Sequence, residues 1–274
     1  MCSSLEYGVQ KGKFKNTGRA RGRAEMGLLD GDWVALALIL AGALAGGFVN
    51  GLTGFGTAMT VLPLWLLAVE PVVAAQAICA CSVASHLSTL RLTWHAFDWR
   101  RLAPMLLAGL LGVPIGTWIL PWLSVPTFKL AVGTVILTYC TFMLFAAGRV
   151  RLESGAKGAE TIIGFAGGIL GGIAGLSGAL PTMWAALKGW PKEERRVFLQ
   201  VFNLTILAAM LVASLMQGLV GRRSIETIIV ALPGTLIGAR LGSFVYSRLD
   251  DRRFDRVVLV FLLLSGLSLV WGSR

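Results

Sequence analysis

The residues able to do chemistry are few, and most lie near two glycine clusters, Gly51 to Gly56 and Gly171 to Gly178. Gly54, Gly56, Gly175 and Gly178 would let a ligand approach bare backbone, and Thr53, Thr57 and Ser177 add hydroxyl donors without fixed charge. Asn50 stands beside the first cluster. Ser82, Ser85, His86 and Thr89 follow i, i+3, i+4, i+7 and form one stripe of a helix, and Gln200 and Asn203 share a face of another. His86 is the sole ionisable residue deep inside an apolar run, which suits anion pairing or proton handling, with a structural histidine as the alternative. Arg240, eight residues before Arg248, could reach an anion pathway or snorkel to the interface. No Asp or Glu stands within an apolar run, which argues against a carboxylate relay. For each glycine, close helix packing is the competing use, and for each amide, hydrogen-bonding between helices.

The elements that must position these groups follow from composition. The chain has 274 residues, 55% apolar and 14% charged, with mean hydropathy +0.74, which excludes an ordinary water-soluble enzyme. Its apolar stretches are continuous rather than alternating, which excludes a membrane β-barrel. Net charge is +11, yet Lys and Arg fall in loops beside apolar runs, where they orient a chain in a bilayer; no nucleic-acid partner is expected. The four cysteines have no metal or disulfide spacing and read as small packing residues. No cofactor is expected. The fold class is therefore all-α, a polytopic helical membrane protein.

Uncharged runs occupy 33–69, 72–90, 102–120, 130–147, 161–187, 197–217, 227–239, which continues past Arg240 to 247, and 257–272. Most fit one crossing of about 20 residues. The first and fifth carry the glycine clusters and read as two helices joined by a turn, whose second limbs, of about 20 and 14 Å, are too short to cross a core of about 30 Å. Both turns then lie near mid-membrane, where irregular backbone must line a cavity or be buried, and the N-terminus of each short limb points its free N–H groups there, which favours an anion.

At an offset of 121 residues, Ala45/Ala166, Gly46/Gly167, Gly47/Gly168, Gly51/Gly172, Gly54/Gly175 and Ala58/Ala179 coincide: six of the fourteen positions from 45 to 58, where about one or two are expected by chance. The chain is thus a duplication, with repeat one at 33–147, a cytoplasmic linker at 148–158 and repeat two at 159–274. If each broken segment is a hairpin, fourteen basic residues, from Arg91 to Arg256, fall on the cytoplasmic face and only Arg222, Arg223, Arg274 and Lys129 on the other. Three full spans per half then make the repeats inverted. The basic segment 1–25 argues the other way; residues 1–32 read as a polar lead without a signal-peptide core, with Met26 as an alternative start.

Gly175-Leu176-Ser177-Gly178 also fits the G-x-S-G pattern of intramembrane serine hydrolases, with His86 as the base, although the order of the two is reversed from that expected. A non-transporting membrane partner protein is a further alternative. The sequence resembles the TauE/SafE family of sulfite exporters over nearly all of 33–272. The resemblance rests on the duplicated turns, 46–56 and 167–178, on Pro63, and on Ile237-Gly238-Ala239-Arg240-Leu241-Gly242; the family's frequent glycine run after the first turn is here Thr57-Ala58-Met59. It implies export of sulfite, organosulfonates or related anions across a bacterial inner membrane by a multi-pass secondary transporter, with uptake of a related anion as the variant reading. No G-x-x-x-x-G-K-[ST] motif is present, so the energy comes from an ion gradient, the potential or the substrate itself. A homo-oligomer is left open.

Overall fold

The computed structural model describes residues 33–90, 99–145 and 158–246, with 263 and 266–267; residues 1–32, most of the linker and most of the last apolar run lie outside them. Nine α-helices and no strand are found among the described residues: α1 (Trp33–Thr53), α2 (Thr57–Trp65), α3 (Pro71–Leu90), α4 (Trp99–Ile119), α5 (Val125–Phe145), α6 (Ala159–Ala174), α7 (Ala179–Leu187), α8 (Lys192–Met216) and α9 (Arg222–Tyr246). Six of these, α1, α3, α4, α5, α8 and α9, are long and apolar enough to cross a membrane. The short limbs α2 and α7 have nine residues each, about 13 Å.

Three boundaries differ from the sequence reading. The breaks are narrower than the glycine clusters, because Gly51, Gly171 and Gly172 remain helical. The first limb α1, at 21 residues and about 31 Å, is much longer than the short helix expected before the break. Helix α8 starts at Lys192 and so takes in Arg195 and Arg196, which the sequence placed in a loop.

Each short limb folds back on its own long limb. Trp65 at the end of α2 donates from Nε1 to the Ile39 carbonyl (3.1 Å) and lies over Gly42, while Gly46 faces Val61 and Thr57. Gly167 of α6 faces Ser177 and Pro181 in the same way.

The long limbs pack on the opposite half. Gly47 and Gly51 of α1 meet the backbone of Thr235 and Ala239, and Gly238 and Gly242 of α9 meet that of Leu44 and Phe48. Numbering rises together, so α1 and α9 run in the same direction. Gly164, Gly168 and Gly172 of α6 meet Met105, Gly109 and Val113 of α4, again in parallel. Gly167 and Gly171 lie near Phe202 and Ile206 of α8, so α6 and α8 are parallel too. Ser224 donates to Gln76 Oε1 (2.5 Å), joining the starts of α9 and α3. In lipid there is little hydrophobic gain from helix association, so small residues that let backbones touch supply it through dispersion.

The distribution of side chains is that of a protein solvated by lipid. Leu107, Leu111, Ile162 and Ile229 are exposed, whereas Asn50, Gln76, Ser85, His86 and Gln200 are buried. Trp33 and Trp122, at the outer limits of apolar spans, are exposed where interfacial anchors belong.

At Gly51 and Gly168 an added Cβ would strike main chain that cannot rotate away. Gly51→Val and Gly168→Val are each expected to destabilise the detergent-solubilised protein by about 1–3 kcal/mol or more, measured as a lowered melting temperature. Gly221→Ala, where a Cβ meets nothing within 4 Å, should leave that temperature unchanged.

Candidate functional site

The first break exists because Gly54 and Gly56 adopt φ of 76° and 89°, a region that costs side-chain-bearing residues about 1–2 kcal/mol. The Thr53 hydroxyl holds the bend, lying 2.9 Å from the Val49 carbonyl and 2.7 Å from that of Phe55. The second break turns at Gly175, φ 70°, whose N–H returns to the Gly171 carbonyl (2.9 Å).

The two breaks touch: the Cβ position of Gly178 lies 2.9 Å from Phe55 Cβ, and that of Gly175 lies 3.7 Å from Ala58 Cβ. Asn203 of α8 ties them together. Its Nδ2 donates to the Gly54 carbonyl (3.3 Å) and its Oδ1 accepts from Ser177 Oγ (2.6 Å). Around this clamp, Asn50 Nδ2 donates to Ser85 Oγ (2.8 Å), and Gln200 Nε2 to Thr89 Oγ1 (3.2 Å).

Between the breaks lies a cavity of about 10 Å³, room for about one water. Of the residues expected at the site, Asn50, Gly56, Thr57, Ser82, His86, Gly175, Gly178 and Asn203 line it. Thr53, Gly54, Ser177 and Gln200 do not; they bond to the turns or to neighbouring side chains and hold the lining in place. Four buried atoms of the lining, Asn50 Oδ1, Thr57 Oγ1, Ser82 Oγ and His86 Nδ1, have no hydrogen-bond partner among the described residues. Each such orphan costs about 1–3 kcal/mol, and four of them surround this one cavity.

The backbone adds donors unequally. The first amides of α2, from Thr57 to Met59, have no acceptor within their helix and border the cavity. In α7, Ala179 N–H is turned to the Leu176 carbonyl (3.3 Å) and Pro181 has no N–H, so the amide cradle belongs mainly to α2.

The expected role of Arg240 is not met. It is exposed on α9 and outside the cavity, because the inward face of that helix is given to the glycine contact with α1. The arginine that does reach the first break is Arg196. It is 6% exposed, donates to the Gly51 carbonyl (2.7 Å) and Ser243 Oγ (3.3 Å), and lies 4.1 Å over the Tyr246 ring. Its signal in the sequence was the spacing Arg196, Gln200, Asn203, which is i, i+4, i+7 on one face.

The G-x-S-G reading fails on geometry: Ser177 gives its hydroxyl hydrogen to an amide oxygen, which cannot serve as a base. Cys79 and Cys81 point to different sides, one toward Gly175 and the other toward Thr235, and with Cys140 are buried and free.

The cavity is made of matching positions of the two halves. Phe55/Leu176, Thr57/Gly178, Ala58/Ala179, Ser82/Asn203 and His86/Leu207 are all 121 residues apart and all line it. An apolar, multi-pass helical protein with its polar groups gathered at an internal site between two broken helices has the build of a membrane transport protein. The chain belongs to the sulfite exporter TauE/SafE family, whose profile matches residues 38–269, and that is a family of transporters rather than enzymes. No curated protein and no solved structure matches the chain.

Thr57→Val removes an orphaned hydroxyl at nearly constant volume. It is expected to leave stability unchanged or raise it by up to about 1 kcal/mol, read as an equal or higher melting temperature, while anion flux in vesicles falls; unchanged flux would take Thr57 out of the site.

Proposed function

We propose that the protein is a secondary transporter that exports small oxyanions, sulfite or organosulfonates, across the bacterial inner membrane by alternating access between two inverted repeats. The observation that carries this reading is the set of four unpartnered polar atoms facing the free amides of α2 in a cavity too small for any oxyanion. The Thr57 and Ser82 hydroxyls and the α2 amides are donors without fixed charge, which suit a small anion that must also leave again, while Asn50 Oδ1 is an acceptor, open to a protonated oxygen or a water. The volume is too small for an oxyanion, so binding requires the breaks to separate.

The inverted reading is supported by helix direction. Helices α1, α3 and α9 run one way by the contacts of Gly47, Gly51 and Gln76, and α4 and α6 run together with α8. A short turn, 217–221, reverses the chain between α8 and α9. Each of α1, α3 and α4 therefore runs opposite to its counterpart α6, α8 or α9. Because each broken helix packs on a span of the other half, a rocking of the α1–α9 pair against the α4–α6 pair would part the breaks from one side or the other. An inside-negative potential favours anion exit by about 2.3 kcal/mol per charge per 100 mV.

The test is purified protein in liposomes loaded with sulfite, sulfate, thiosulfate or a short alkylsulfonate. Sulfite or sulfonate efflux should exceed that of protein-free vesicles and accelerate with an inside-negative potential; no efflux of any of the four would refute the proposal. Gly54→Val and Gly175→Val, which force a side chain into left-handed backbone, should insert normally and lose flux by at least about tenfold.

A further inference from the structure

The interface of α3 and α8 is not polar throughout, although its two sides are matching positions of the duplication. On α8 the file toward the cavity is Arg196, Gln200, Asn203; the positions 121 residues earlier on α3 are Ala75, Cys79, Ser82. Continuing past the cavity, α3 offers His86 and Thr89 on the side of Arg196, whereas α8 offers Leu207 and Met210 on the side of Ala75. Ala75, Cys79, Leu207 and Met210 are all buried. At these matching positions one side of the cavity is apolar, with the Gln76–Ser224 pair beside Ala75. The other is a file of buried groups that can hydrogen-bond, from Asn203 through the Gln200–Thr89 pair to Arg196, about 10 Å along α8.

At the outer end of that file, Arg196 is partly committed. One nitrogen, Nη2, serves the Gly51 carbonyl and Ser243 and the guanidinium lies over the Tyr246 ring, while Nε is buried with no hydrogen-bond partner among the described residues. A buried guanidinium with an open donor, facing a polar file that ends at the small cavity between the breaks, is more than a cap for α1. Resting on the transport reading above, we infer that Arg196 is the loading station for the anion. It captures substrate on the face that carries the α8 N-terminus, which the basic-residue count assigns to the cytoplasm, and passes it along Gln200 to the site. The equivalent position on the opposite face, Ala75, has no charge. This asymmetry does not alter the equilibrium, which gradient and potential set; it makes the site load more readily from one face.

The experiment compares sulfite uptake by inside-out and right-side-out membrane vesicles carrying the full chain. Arg196→Gln leaves an amide nitrogen where Nε stands, two bonds short of the donor to Gly51, and removes the charge. It should raise KM in inside-out vesicles about tenfold with a maximal rate near that of the unaltered protein, while KM in right-side-out vesicles changes by less than about twofold; Arg196→Lys should recover most of the loss. An unchanged KM in inside-out vesicles, an equal rise on both faces, or no recovery with lysine would overturn the assignment. If Arg196→Gln does not accumulate in the membrane, Gln200→Leu, which leaves Arg196 in place, should give the same one-sided rise, and its absence refutes the route. Normal flux with symmetric effects removes only this inference. No flux in the unaltered protein removes the transport reading and this inference with it.

Discussion

The constraint on which the structure depends is that lipid offers no hydrogen bonds to backbone, so a helix can be interrupted inside a membrane only where protein takes over the freed groups. This chain interrupts two. The exposed ends at Gly54–Gly56 and Gly175–Gly178 are met by each other, by the Asn203 amide and by the Arg196 guanidinium. What brings them within reach is backbone contact of α1 with α9 and of α4 with α6, made by glycines at a stride of four. Remove that contact and the breaks would face lipid.

Two uses of glycine are therefore interleaved in the same short stretches. Gly47, Gly51, Gly168 and Gly172 stay helical and serve packing, while Gly54, Gly56 and Gly175 take left-handed backbone and end the helices. Because the packing glycines hold the long limbs rigidly and the turning glycines release the short ones, the chain can be strict about where the breaks lie and still leave a gap between them. Four of the unsatisfied buried polar atoms stand around that gap, a cost that close packing alone does not require.

The six long apolar helices that are described and the broken segments were legible because composition, run length and glycine clusters are local properties of a sequence. So was the stripe of Ser82 and His86, since helical spacing alone puts them on one face. Which residues would line the cavity was only half legible. Ser177 and Thr53 carry the right hydroxyls, but nearby acceptors capture them. Arg240 stood at a suitable depth, but the same face cannot serve both a glycine contact and a long side chain. Arg196 was hidden by the habit of assigning charges at the edge of an apolar run to loops, when helix α8 begins a full turn earlier and buries one of them. Neither fact is visible without knowing which helices touch.

The most direct measurement is a structure of the full chain, in lipid, with selenite as an electron-dense analogue of sulfite. The account predicts selenite between the breaks, within about 2.7–3.2 Å of the Thr57 and Ala58 amides, in a cavity widened by movement of one broken helix away from the other. Selenite bound elsewhere at saturating concentration, with the breaks still in contact, would contradict it.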